Sequence, residues 1–257
     1  PALTPAQQGL AAQAAALGAT DIEARPGPDG GMLLGGKLNG AQFALAFPAT
    51  WNGDGLVYAH GYSTPGTPVA VAANPVEKPG LLTLAYGQGF AVGHSAYDKA
   101  GLGVETGSVN TRRLRDLVAG LGGKKIYVAG DSMGGGIVVA LLETHPEAFA
   151  GGLARCGVVD SWRTLLTQLL DMRVAYAFLT RGTPYAYEGD LDVRRNVFAP
   201  EPPANLPDEM AQLYVFGQMM KAAAPPLALW TAAQRDPDGP EARIVRQVTT
   251  IGGFDYD

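Results

Sequence analysis

A serine flanked by glycines lies at the point where one short apolar segment of the chain gives way to another. Residues 127–136 read YVAGDSMGGG. Residues 125–129 are apolar and rich in strand-forming side chains, whereas residues 137–142 are apolar on every side, as in a buried helix. The pattern predicts a sharp strand-to-helix turn with Ser132 at its tip.

The glycines around this serine have the spacing Gly-Xaa-Ser-Xaa-Gly, filled by Gly130 and Gly134. In a nucleophile elbow the serine backbone is strained, and neighbours without side chains let strand and helix come close while Oγ projects outward. The alternative is a glycine-rich turn whose serine merely caps the helix. The strand-turn-helix context favours the nucleophile.

A second segment, residues 55–62 (GLVYAHGY), is an apolar strand that ends in His-Gly. Acyl transfer by a serine needs two backbone N–H donors that face the developing oxyanion, one of them from the residue after the nucleophile. We expect Met133 and Tyr62 to supply these donors. Gly61 would let the loop before Tyr62 bend.

With these motifs the chain resembles the α/β-hydrolase superfamily, and among its members the esterases and the prolyl-oligopeptidase-like group. Residues 89–97 look like the family's fourth strand, residues 111–121 like the helix before the elbow strand, and residues 151–159 like its sixth strand. The resemblance covers residues 32–160. It implies an α/β fold with a mostly parallel sheet and helices on both faces.

The family places its catalytic residues in the order serine, acid, histidine, and the three histidines of this chain do not fit that order. His60 and His94 precede Ser132. His145 lies at the end of the helix that follows the elbow, about 20 Å away at 1.5 Å per residue. A general base must come within hydrogen-bond reach, so none of the three is expected to be the base.

Two carboxylates near the predicted elbow have alternative roles. Asp160, at the end of the sixth strand, is a candidate triad acid or, alternatively, the cap of the next helix. Asp131 is expected to support the backbone of the elbow, since its side chain should project away from Ser132.

The resemblance also implies that the family's last two strands, which carry the acid and the histidine, are missing. We therefore expect the chain to be the N-terminal part of a longer enzyme, with the catalytic histidine beyond residue 257 and a C-terminal companion fragment as a candidate partner. The other explanation is a binding module that kept the fold without catalysis.

Two domains are expected: an α/β-hydrolase core over residues 1–160 and a helical lid insertion over residues 161–257. Within the lid, residues 181–207 are rich in Pro, Asp and Tyr and predict a loop. Aromatic side chains of this region are candidates for a substrate pocket or for ordinary packing. They are Tyr176, Phe178, Tyr185, Tyr187, Phe216 and Trp230.

Composition excludes several other classes of protein. The net charge is −5 and no run of Lys or Arg offers a phosphate-binding patch, which argues against nucleic-acid binding. No apolar stretch reaches membrane-spanning length. Three histidines and one cysteine make a zinc cluster improbable and no cofactor is implied. Cys156 lies in an apolar segment and is expected to be buried.

The N-terminal sequence PALTP would suit a mature chain after removal of a signal peptide, so secretion or a periplasmic location is a hypothesis. The function predicted from the motifs and the resemblance is hydrolysis of a carboxylic ester, small or polymeric, through an acyl-enzyme on Ser132. A peptidase or a C–C bond hydrolase would use the same apparatus.

Overall fold

The computed structural model describes residues 2–63, 65, 68–187 and 202–254. The chain divides into two compact units, one of residues Pro1–Thr64 and Pro68–Val159 and the other of Pro65–Thr67 and Asp160–Asp257. The strands are β1 Thr20–Pro26, β2 Met32–Leu38, β3 Ala41–Phe47, β4 Asp54–Ala59, β5 Ala91–Ser95, β6 Lys125–Asp131 and β7 Gly151–Arg155. The helices are α1 Pro5–Ala16, α2 Leu81–Gly87, α3 Val104–Gly120, α4 Met133–Thr144, α5 Trp162–Leu179, α6 Asp208–Arg235 and α7 Pro240–Ile251.

The strands described in the first unit form one mixed sheet in the order β1-β2-β3-β5-β4-β6-β7. The ladders from β1 to β5 are antiparallel and those from β5 through β4 and β6 to β7 are parallel, so only β1 and β3 run against the others. After β4 the chain places β5 on one side of that strand and then β6 on its other side. In open α/β sheets, ligands bind at the carboxyl ends of strands beside such a reversal.

Helices cover both faces of this sheet. On one face α2 packs over β4 and β5 through a cluster that includes Leu33, Leu56, Val92 and Ala129. On the other face α3 contacts β4 and β5, and α4 contacts β6 and β7. Alternate strand residues serve the two faces, as the two-residue repeat of a strand requires. The mixed sheet with helices on both sides is an α/β-hydrolase fold, as the sequence predicted.

The antiparallel start of the sheet follows local turn chemistry. Asn39 and Gly40 have φ angles of 48° and 85°, which are the positive values that an Asn-Gly hairpin turn needs. Leu38 pairs with Ala41 across the turn. The Asn39-Gly40 signal in the sequence predicts a hairpin of strands over residues 32–38 and 41–47, and β2 and β3 have these bounds. β1, which pairs with β2, was not predicted.

The second unit is helical in its described part. α5 and α6 both pack against α7, around buried side chains from all three helices, among them Tyr176, Leu229 and Val245. Residues 188–201, which belong to the predicted loop, lie outside the described residues. Helices after β7 agree with the expected helical segment, whereas its role as a lid stays a prediction.

Candidate active site

Ser132 lies between β6 and α4 in a backbone conformation that side chains rarely adopt. Its φ is 56° and its ψ is −121°, a region that costs about 1–3 kcal/mol for a residue other than glycine. The residue is exposed. Within the described residues its hydroxyl forms no hydrogen bond, so Oγ stands at the tip of a strained turn and is open to a substrate.

The two glycines of the motif lie where strand and helix touch. A Cβ on Gly130 would lie 2.5 Å from the Gly134 carbonyl oxygen and 2.7 Å from that of Ala59. A Cβ on Gly134 would meet the same Ala59 carbonyl oxygen and would lie 2.9 Å from that of His60. Only a hydrogen fits at either position, so the first turn of α4 can approach the end of β4.

The predicted oxyanion donors lie on both sides of this turn. Met133 is the first residue of α4, and the first N–H groups of a helix have no intrahelical acceptor. The loop after β4 passes beside the serine: a Cβ on Gly61 would lie 3.6 Å from Ser132 Cβ. Tyr62 follows in this loop, with an exposed side chain. Its role as the second donor stays a prediction.

Three polar side chains that the sequence did not bring together meet beside the elbow. Asp131 and Arg155 are register partners at the ends of β6 and β7. Arg155 donates from Nε to Asp131 Oδ1 and from Nη2 to Oδ2, both at 2.6 Å. The Tyr58 hydroxyl, from β4, donates to the same Oδ2 at 2.5 Å. One carboxylate therefore joins the carboxyl ends of three parallel strands.

These contacts set the charge state of the cluster. The Arg155 guanidinium, followed by the Tyr58 hydroxyl, lowers the pKa of Asp131 because both stabilise its carboxylate. Burial and the bond to that carboxylate raise the pKa of Tyr58 to about 12. The Asp131 side chain points to the neighbouring strands β4 and β7, and its expected support of the elbow backbone stays a prediction.

None of the three histidines is placed to accept a proton from Ser132. His60 Nδ1 lies 2.8 Å from the Gly61 carbonyl oxygen, and its ring stacks on Tyr97 at 3.9 Å between centroids. His94 Nε2 lies 2.9 Å from the Ala72 carbonyl oxygen. His145 caps the far end of α4, as predicted.

The stacked ring of Tyr97 also fixes the loop after β4. Its hydroxyl donates to the His60 carbonyl oxygen at 2.9 Å, and its backbone N–H donates to Ser95 Oγ at 3.1 Å. Tyr97 is buried with a φ of 64°. His60 and Tyr97 therefore hold each other at the start of the loop that runs past Ser132.

We expect acid to destabilise the fold through two half-buried histidines, His60 and His94. Burial lowers the pKa of His60 and of His94 from 6.5, so as the pH falls below that value the unfolded chain takes up protons first. The free energy of unfolding should drop by up to about 1.4 kcal/mol per pH unit for each ring, until the folded state titrates. Urea denaturation at pH 7.5 and pH 5.5 measures the slope.

Replacing His94 with Gln should make that dependence shallower, since glutamine can still donate to the Ala72 carbonyl oxygen but does not titrate. A slope that is the same in this variant as in the parent protein would show that His94 is not held neutral.

The structure differs from two further expectations drawn from the sequence. Ser161, rather than Asp160, caps α5: its Oγ accepts a hydrogen bond from the Thr164 N–H. Asp160 is exposed and accepts one from the Ser161 N–H. Cys156 is exposed rather than buried, with a φ of 46°, because β7 ends one residue earlier and the chain turns back toward α4.

A cleft of about 400 Å³ opens on the α2 side of the sheet at the same carboxyl edge. Its polar lining includes Tyr58, Lys78, His94 and Arg155, and its apolar lining includes Leu82. Two of these residues hold Asp131, which precedes the serine in the chain. The cleft therefore lies against the two side chains that bind the Asp131 carboxylate.

Neither a metal-binding cluster nor a membrane-spanning helix occurs in the part of the chain that the structure describes. Those residues contain no group of three or more His, Cys, Asp or Glu side chains that could hold a metal ion. They also contain no helix with both the length and the apolar character of a membrane span.

Comparison with known proteins gives solved structures alone: no family model matches the chain, and no curated protein matches it significantly. Acetyl xylan esterase 1 from Thermoanaerobacterium sp. JW/SL YS485 is 13% identical, over 75% of this chain and 71% of that one, with a TM-score of 0.43. Feruloyl esterase B from Aspergillus oryzae is 16% identical, over 71% of this chain and 42% of that one, with a TM-score of 0.43.

The rice cell wall degrading esterase LipA from Xanthomonas oryzae is 14% identical, over 94% of this chain and 75% of that one, with a TM-score of 0.43. At these identities and TM-scores the likenesses do not identify a substrate. The α/β-hydrolase fold rests on the sheet order and helix placement given above, and the chemistry rests on Ser132 and its surroundings.

Proposed function

We propose that this protein is a serine hydrolase that acts on a carboxylic ester through an acyl-enzyme on Ser132. The observation that carries the proposal is the backbone of this serine: an exposed residue with a φ of 56° and a ψ of −121° between a buried strand and a buried helix. Strain of this kind persists where the surrounding structure imposes it, and it clusters at active sites.

In the proposed reaction, Ser132 Oγ attacks the acyl carbon and forms a tetrahedral intermediate. The N–H groups of Met133 and Tyr62 donate hydrogen bonds to the oxyanion, at the start of a helix whose dipole also favours negative charge. Collapse of the intermediate expels the alcohol and leaves the acyl-enzyme, which water then hydrolyses.

The base is proposed to be a histidine that lies outside the 257 residues of this chain. His60 Nδ1 and His94 Nε2 each lie within hydrogen-bond distance of a backbone carbonyl oxygen, and His145 lies at the other end of α4. Asp160 remains a candidate acid, because it follows β7 and its carboxylate is exposed. Its partner would be that same histidine.

The cleft beside Tyr58 and Arg155 is proposed to hold one group of the ester. Its size is within the range of small-molecule sites, and it combines apolar side chains from α2 with polar ones from the strand ends. We propose that the helical second unit acts as a lid over the bound substrate. Small-molecule and polymeric esters both remain candidates.

A fluorophosphonate probe tests the proposal directly, because it phosphonylates only an activated serine. We expect covalent labelling of the complete, natively assembled protein, including the part that supplies the histidine, with the adduct mapped to Ser132 by peptide mass spectrometry. Heat-denatured protein is the control and should not react. Absence of an adduct on the native protein would instead favour the binding module, in which the fold persists without catalysis.

Labelling does not separate an ester hydrolase from a peptidase or a C–C bond hydrolase. A panel of 4-nitrophenyl esters, anilides and β-diketones does so. We expect turnover of the esters, and faster turnover of an anilide or a diketone would contradict the ester assignment while leaving the nucleophile in place.

A further inference from the structure

Hydrogen bonds hold the elbow at the backbone of Ser132 and at the side chain of Asp131. The Ser132 main chain is held by the end of β7 and the segment after it: its N–H donates to the Arg155 carbonyl oxygen at 3.0 Å, and its carbonyl oxygen accepts from the Val158 N–H at 3.3 Å. The same carbonyl oxygen also accepts from the Gly136 N–H of α4 at 3.2 Å. The segment that begins at Arg155 therefore fixes both polar groups of the serine backbone.

Arg155 also holds the residue that precedes the serine. Its guanidinium binds both carboxylate oxygens of Asp131, and Tyr58 binds one of them from the other side. Any displacement of Arg155 thus moves Asp131 through the side chains and Ser132 through the backbone. A bidentate arginine-carboxylate pair fixes an angle as well as a distance.

We propose that the Asp131–Arg155 ion pair, completed by the Tyr58 hydroxyl, is a positioning device that holds the Ser132 backbone at the angle needed for nucleophilic attack. The inference rests on the proposed function. These residues do not touch the reacting atoms. They act through the register of β6 and β7 at the last residue pair before the turn.

Exposure favours positioning over stability as the role of this pair. The side chains of Arg155 and Asp131 are 50% and 36% exposed, and ion pairs in such surroundings contribute little to the free energy of unfolding. On the side of α4, the elbow glycines allow close approach, and the Gly136 N–H binds the Ser132 carbonyl oxygen. The ion pair supplies the restraint on the side of the strands.

The first test measures the backbone and does not depend on activity. In the full chain, Asp131→Asn and Arg155→Lys each remove the bidentate ion pair while they keep the size or the charge of the side chain. We expect amide hydrogen exchange of the peptide that contains Ser132 to rise about tenfold in both variants, with exchange in α3 and the unfolding temperature nearly unchanged. Asp116→Asn is the matched control, since it breaks an exposed arginine-carboxylate pair on α3.

The second test measures catalysis in the same variants. We expect kcat for a 4-nitrophenyl ester and the rate of fluorophosphonate labelling to fall about tenfold, less than the hundredfold that a 1 Å misplacement costs, while KM changes little. The double variant should lose no more than either single variant, because both remove one restraint. Asp116→Asn should retain the parent kcat.

The outcomes are distinguishable. Unchanged exchange at Ser132 would overturn the inference, and so would raised exchange with an unchanged kcat. If the parent protein neither labels nor hydrolyses esters, the proposed function fails, and raised exchange in the variants would still show that the ion pair sets the geometry of the turn.

Discussion

Replacing Ser132 with alanine is expected to reduce ester hydrolysis by about 10⁴-fold or more, since loss of a nucleophile removes the whole covalent route and leaves only the oxyanion donors and binding. The variant lacks the one atom that forms the acyl bond, and it should also lose all fluorophosphonate labelling. Initial rates with 4-nitrophenyl acetate measure the loss, and circular dichroism checks that the fold is kept.

Ser108→Ala is the matched control, because this serine lies on α3 and its hydroxyl donates to the Val104 carbonyl oxygen of the same helix. It should retain the parent rate. Ser132→Gly separates the chemistry from the strain. It should be as inactive as Ser132→Ala, and its free energy of unfolding should exceed that of the alanine variant by about 1 kcal/mol, since glycine tolerates the positive φ. Residual labelling of Ser132→Ala at another serine would show that the nucleophile had been assigned to the wrong residue.

The parts of the fold that the sequence predicts are those fixed by local chemistry. Asn39-Gly40 sets the hairpin, because few other residues adopt two successive positive φ angles. The elbow glycines show a local signal, because Gly130 and Gly134 touch each other across the turn. The contact of both with the Ala59 carbonyl oxygen of β4 is tertiary. The place of His60 also follows from local sequence, because it comes directly after β4 at the start of the loop that passes Ser132.

Elements that are stabilised mainly by contacts with other elements show little periodic pattern in the sequence. β1 carries Asp21, Glu23 and Arg25 and is largely exposed, so it lacks the alternation that identifies a half-buried strand. Its ladder with β2 stabilises it. α2 has only seven residues, too few for a helical period to stand out.

The polar cluster was missed for a different reason. Asp131 and Arg155 are 24 residues apart and meet only because β6 and β7 pair in one particular register. A shift of one residue would place the two side chains on opposite faces of the sheet. The exposure of Cys156 depends in the same way on where β7 ends. Side-chain partners across a parallel ladder are a tertiary property that a single sequence does not reveal.

Gly134→Ala is expected to lower the free energy of unfolding by about 3 kcal/mol, the upper range for forcing extra volume into a packed site. The new methyl group would press against the Ala59 carbonyl and lie 2.9 Å from the His60 carbonyl oxygen, and backbone groups at strand ends cannot move aside as a flexible side chain can. Urea denaturation measures the loss.

The same substitution should remove activity from the molecules that remain folded. Relief of the contact would push α4 away from β4, and with it the Met133 N–H that is proposed to stabilise the oxyanion. Gly9→Ala on α1 is the matched control: nothing lies within 4 Å of the added methyl group, so this change should stabilise the protein by about 0.5–1 kcal/mol. If Gly134→Ala were as stable and active as the parent, helix and strand could not be in the close contact on which the strained serine depends.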